Sequence, residues 1–169
     1  MKADKVMRSE LLALLQGGNA HMSFDEVLAD FPQQFINDRP PNTPYSFWHF
    51  VEHLRITQWD ILGFIRNPGH VSPDYPAGYR PAPAQRTDQA GWQKSCDGFR
   101  ADLEALQDMV RDETLDLLVP IPHARHFNIF REILLAADHN AYHIGEIAIM
   151  RQIREIWPAG NRYLTGKPD

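Results

Sequence analysis

The segment His139-Asn140-Ala141-Tyr142-His143 carries two imidazoles four residues apart. On a helix, residues at that spacing stand one above the other on the same face. Their ring nitrogens can then fill two corners of a tetrahedral metal site. A second pair with the same spacing, His49 and His53, lies upstream in Trp48-His49-Phe50-Val51-Glu52-His53. Three imidazoles drawn from two helices form a catalytic type of ligand set, whose open position takes water or a substrate heteroatom. Zinc and nickel suit imidazole, and ligand type does not exclude iron or copper. His53 is the candidate third ligand. His49 has two readings: a fourth ligand that closes the site and makes it structural, or a partner that lines it. Asp60, Glu132 and Glu146 are acids able to orient a ligating ring through its other nitrogen, or to act as a general base. The bland alternative, two ordinary histidines on a solvated face, loses ground because the second pair exists.

These residues need helices to position them. From His126 to the break at Pro158 there is no proline and one glycine, which predicts one helix of roughly eight turns at about 3.6 residues per turn. At about 100° per residue, Glu132, His139, His143, Glu146 and Met150 share a stripe. Most of the remaining circumference is apolar, including Ile129, Ile133, Ala137, Ile144 and Ile147. The expectation is a mostly buried helix whose titratable stripe lines an internal pocket. Upstream, Thr43-Pro44 opens a helix that runs to about Arg66, where Asn67-Pro68-Gly69 breaks it. Ser46, His49, Phe50, His53, Thr57 and Asp60 fall on one face of it, a mixture suited to a pocket wall.

The rest of the chain supplies the partners. Residues 5–16 suit a first helix ended by Gly17-Gly18. Ser23-Phe24-Asp25-Glu26 is a capping box that opens a short helix through Ala29. Between Thr87 and about Asp112, Trp92, Cys96, Phe99, Leu103, Leu106 and Val110 repeat at spacings of four and three, a core seam on which Cys96 is a small buried hydrophobe. Residues 67–86 hold five prolines with Tyr75 and Tyr79, and read either as the rim of a binding site or as a plain crossover. Leu115 to Val119, with Pro120 and Pro122, form an extended connection. His123 and His126 beside it flank the entry to the last long helix and read either as residues of the pocket mouth or, in preference, as surface or capping residues. In the polar tail, Tyr163 and Leu164 can dock on the bundle. The fold class is therefore all-α. The chain reads as a single domain over 1–169, a four-helix bundle with a long connection between helices two and three and a short extra helix near the N-terminus.

Composition removes several functions. A net charge of −5 with no Lys/Arg run leaves no electrostatic footprint for nucleic acid. No apolar run approaches the roughly 18 residues that span a bilayer, and Met1-Lys2-Ala3-Asp4-Lys5 leads into no signal-peptide core. Cys96 is the only cysteine, so no internal disulfide forms and a reducing cytoplasm is the expected location. There is no GxSxG, P-loop, GxGxxG or CxxC. The Glu-x-x-His pairs of di-iron carboxylate bundles are not met either.

Thr43-Pro44-Tyr45-Ser46-Phe47-Trp48 leading into Glu52-His53-Leu54-Arg55, followed by Asp138-His139-Asn140-Ala141-Tyr142-His143-Ile144-Gly145-Glu146, resembles the DinB/YfiT-like superfamily. Those proteins are four-helix bundles with a three-histidine metal site, one ligand in an EHL-type motif and two in an HxxxHxGE/Q motif. The resemblance implies His53, His139 and His143 as ligands and leaves His49 outside the motif. It also implies a metal-dependent transferase or isomerase using a low-molecular-weight thiol, or a hydrolase, acting on a small molecule. Relatives often pair as dimers through bundle helices. The contrasting reading is a non-enzymatic, stress-associated or binding module with a structural metal. A thiol cofactor needs cationic anchors, for which Arg55, Arg125 and Arg131 are available in sequence.

Overall fold

The computed structural model describes residues 2–158. The expected docking of Tyr163 and Leu164 lies outside the described residues. Four long helices form the bundle: α1 (Lys2–Gln16), α3 (Phe47–Arg66), α4 (Gln89–Arg111) and α5 (Ile129–Ile153), with the short α2 (Phe24–Leu28) packed on α5. The main contacts run from α1 to α4, α4 to α3, α3 to α5 and α5 back to α1, so α3 and α5 lie side by side with both histidine pairs between the same neighbours.

Local sequence chemistry sets most boundaries. Gly17 and Gly18 take left-handed φ values of 70° and 83° that end α1. The capping box of α2 forms as expected, Ser23 Oγ accepting from the Glu26 amide while the Glu26 carboxylate accepts from the Ser23 amide. Asp88 caps α4 by accepting from the Gly91 amide.

Two long helices start later than the sequence suggests. In α3, Pro44 does not open the helix; Ser46 does, because the His49 ring reaches back to Ser46 and occupies its amide and hydroxyl. In α5, residues 126–128 are not helical. Ala124–Asn128 form strand β2, antiparallel to β1 (Pro120–Ile121), and Asn128 caps the helix by accepting from the Arg131 amide at 2.8 Å. Of the expected extended connection, Pro120 lies in β1, whereas residues 115–119 run through turns and bends ahead of it. His126 sits exposed on β2 and His123 bonds the Phe64 carbonyl, so neither reaches the pocket.

Two apolar clusters fill the bundle. One gathers Val27, Phe47, Val51, Leu54, Trp92, Cys96, Phe99, Ile144 and Ile147; the other gathers Leu11, Leu15, Ile61, Ile65, Leu106, Val110, Ile133 and Ala136. Every core position of the expected α4 seam is used, with Leu103 half-buried against both clusters. Between the clusters runs a polar layer. Gln58 on α3 donates to the Phe99 carbonyl of α4 at 2.7 Å and accepts from Asn140 of α5 at 2.8 Å. The three histidines of the motif lie at that same level of the bundle.

Buried arginines close the helix ends. Arg8 donates to the carbonyls of Val110, Asp112 and Leu115 at the end of α4. Arg151, 0% exposed, donates to Val27 and Ala29 at the end of α2 and to Ile156. Removing such a donor leaves buried acceptors unpaired, at a cost of about 1–3 kcal/mol for each group. Arg151→Met is expected to lower the unfolding free energy by about 3 kcal/mol in urea titrations. Truncating the exposed Arg100, paired to Asp25, should change it by less than about 1 kcal/mol.

Candidate metal centre

His53 comes from the middle of α3, and His139 and His143 from adjacent turns of α5. Their rings meet edge to face with centroids 4.5–4.8 Å apart. The Nε2 atoms of His139 and His143 lie 3.0 and 3.1 Å from that of His53. A tetrahedral ion with nitrogen ligands at about 2.05 Å separates them by about 3.3 Å, so the three nitrogens already stand near coordination geometry.

The other ring nitrogens fix where the protons sit. His53 Nδ1 faces the Tyr79 carbonyl at 2.8 Å, and His143 Nδ1 faces the Glu146 carboxylate at 2.6 Å. Both partners are acceptors, so each Nδ1 carries the proton and each Nε2 presents a lone pair. Two bare nitrogens then face one another across 3.1 Å with no proton between them. A cation at the point of convergence turns that repulsion into coordination, which makes this donor set fit a divalent ion. The three side chains are the group among the described residues that can hold a metal.

Burial reinforces the neutral state. Desolvation pulls His139 and His143 down to about 3, helped by the neighbouring imidazoles and, at both, by the Arg80 charge. Desolvation also lowers His53. At neutral pH all three are therefore unprotonated, the form that binds metal.

The remaining expected residues separate. His49 does not join the cluster: its Nδ1 takes the Ser46 hydroxyl at 2.7 Å and its Nε2 donates to the Ala82 carbonyl at 3.1 Å. It fastens the 67–86 loop. Glu146 orients His143, and burial pushes its carboxyl above the usual range. Glu132 is buried two turns away and pairs with Arg131 at 2.7 Å. Met150, also on the expected stripe, belongs to the core. The stripe therefore reaches the site only at His139, His143 and Glu146, because the 129–138 half of α5 faces the second apolar cluster. Nor is α5 buried all round, since Leu135, Tyr142, Ile149 and Ile153 are exposed.

Asp60 does reach the pocket. Its carboxylate accepts from the Tyr79 hydroxyl at 2.6 Å and bonds His70 Nε2 at 2.7 Å. Desolvation, with the Asp60 bond second, pushes the Tyr79 phenol up to about 12. Gly63 is required here, since a Cβ would stand 2.5 Å from the His70 ring.

A cavity of about 890 Å³ opens on the three histidines, its far wall formed by residues 75–83. The Pro/Tyr-rich segment is thus the rim of a site. Within that rim, nothing in the sequence singles out Arg80 as a cavity residue, or His70 as the partner of Asp60 behind it. Arg80 follows Tyr79 in the same loop and lines the cavity. The cations singled out in sequence are elsewhere: Arg55 pairs with Glu52, Arg131 with Glu132, and Arg125 is exposed on β2.

A family model described as the DinB superfamily matches residues 18–147, and the chain belongs to that superfamily. No curated protein and no solved structure matches it.

Two outcomes follow from this geometry. His49→Leu should leave metal stoichiometry unchanged while speeding limited proteolysis within residues 67–86; loss of metal in this variant would make His49 a ligand after all. The pH dependence has a definite sign. Unfolded histidines take protons near pH 6.5 whereas folded His139 and His143 refuse them until about 3, so chelator-treated protein loses stability as pH falls through that window. Urea midpoints between pH 7 and pH 4 should fall less steeply in His139→Leu than in the parent.

Proposed function

We propose that this member of the superfamily is a metal-dependent enzyme of the thiol-dependent transferase or hydrolase type, with a zinc or nickel ion on His53, His139 and His143. The observation that carries the reading is the side on which the cluster is open. The three Nε2 atoms face a cavity of small-molecule size, whereas His49, the residue that could have closed a four-histidine structural site, spends both nitrogens on Ser46 and Ala82. A bound ion would supply a lowered pKa to water or to a thiol at its open position.

The chain's own residues do the rest. Tyr79 and Glu146 hold the rings of His53 and His143 in the tautomer that presents Nε2. The 75–83 rim shields the centre from bulk water, which strengthens every charge interaction inside. Glu146, with one carboxylate oxygen on His143, is the candidate proton acceptor beside the ligands. Asp60 is less suited, because His70 and Tyr79 already hold it. The substrate is a small molecule, and a low-molecular-weight thiol is a co-substrate compatible with the open position.

No helix among the described residues is long and apolar enough to cross a membrane, which accords with a cytoplasmic setting. Tyr142, Ile149 and Ile153, exposed along one side of α5, support pairing of two copies through that helix.

Elemental analysis of untagged protein tests the reading. About one equivalent of zinc or nickel per chain, lost in His53→Ala together with turnover on thiol-transfer or hydrolase substrates, is the expected result. A metal retained in the variant would refute the ligand set. Metal present, but with no exchangeable ligand and no turnover, would favour a structural role in a binding module.

A further inference from the structure

Arg80 is set apart by where it stands without an ionic partner, on the wall of the cavity that opens on the three histidines. Its guanidinium lies 4.5 Å from the centre of the Tyr45 ring and 5.7 Å from that of Phe50. No carboxylate or carbonyl of the described residues accepts from it, although Arg55, Arg100, Arg111, Arg131 and Arg154 are all ion-paired. The cavity's own carboxylate, Asp60, is occupied by Tyr79 and His70. A guanidinium has five N–H donors in a planar fork, and here they border the cavity that opens on the three histidines. Its charge is felt by His53, His139, His143 and Glu146 alike. The flat faces of Tyr45 and Phe50 hold the head in place without spending its hydrogen bonds. Thr57, one turn beyond His53, lines the same cavity with a hydroxyl that has no partner.

We infer that Arg80 is the anchor for a carboxylate of the ligand, so that the cavity takes a small molecule with a carboxylate at one end and a metal-binding heteroatom at the other. Only the heteroatom end rests on the metal reading above. A carboxylate fits better than a phosphate because one planar fork matches its two oxygens, whereas a phosphate dianion calls for a second cation that the described cavity wall does not offer. Much of the remaining cavity wall is apolar and aromatic, with Tyr75, Pro76, Ile61 and Leu135 among its residues, which suits a ligand with a hydrocarbon or aromatic body.

The test uses a matched pair of probes, 4-(mercaptomethyl)benzoate and its neutral carboxamide. Each is titrated into the cobalt-loaded protein and followed by the visible cobalt spectrum. The carboxylate is expected to bind at least about tenfold more tightly, as one charge-assisted contact commands. Arg80→Gln should erase that preference while cobalt stoichiometry stays the same, and Arg80→Lys, which keeps the charge, should retain part of it. Equal affinities in the parent protein, or a preference that survives Arg80→Gln, would overturn the inference. If the parent takes up no cobalt, the metal reading fails. The same pair, titrated into the metal-free chain and read by ligand-observed NMR, then still decides whether Arg80 selects the carboxylate.

Discussion

The constraint on which this structure depends is the convergence of three unprotonated imidazoles inside an apolar bundle. The bare Nε2 atoms of His53 and His143, 3.1 Å apart, repel one another, and each ring must be held by something outside the trio. On α5 that support is local, Glu146 one turn beyond His143. On α3 it comes from the 67–86 loop through the Tyr79 carbonyl. The site is therefore assembled from two helices and one loop, and the loop is as much a part of it as the helices. Gln58 and Asn140 extend the same level across the bundle to α4, so the polar layer also fixes the register of three helices. A slip of one turn would leave buried amides and imidazoles without partners.

The polar face of α3 has a second task that its spacing alone does not reveal. His49, His53 and Asp60 follow one another along the helix and each takes hold of the loop: His49 at Ala82, His53 at Tyr79, and Asp60 at the Tyr79 phenol. A proline-rich segment has few amides to donate and loses little chain entropy on ordering. Three fastenings of this kind are enough to hold it as a wall. The HxxxH of α3 is thus asymmetric in function, one imidazole facing the cluster and the other clamping the rim.

What could be read in the sequence follows from what is local. Helix identity, the α4 seam and the Ser23 capping box depend on residues within a few positions of each other, and they appear where expected. The trio was legible because helical periodicity puts His139 and His143 together and a second pair supplied His53. The start of α5 was not, because Asn128 and the β1–β2 hairpin compete with the helix for the same amides. Glu132 was misplaced for a related reason: a stripe drawn on an isolated helix does not say where the neighbours change, and α5 passes from one apolar cluster to the other between Ala137 and Ile144. Arg80 and His70 were invisible because only the path of an irregular loop decides what they face.

Charge balance links the site to its ligand. The three imidazoles are neutral, Glu146 is bound to His143, and Asp60 is shared between Tyr79 and His70. Arg80 is then the one cation on the cavity wall described here without an anionic partner. A divalent ion would add two further positive charges in a region of low dielectric, where uncompensated charge is costly. Such a cavity is neutralised by a ligand that brings its own negative charges, a thiolate or hydroxide at the ion and an anion at the guanidinium. A molecule that satisfies only one of those two points leaves the other charge uncompensated, so selectivity comes from meeting both at once.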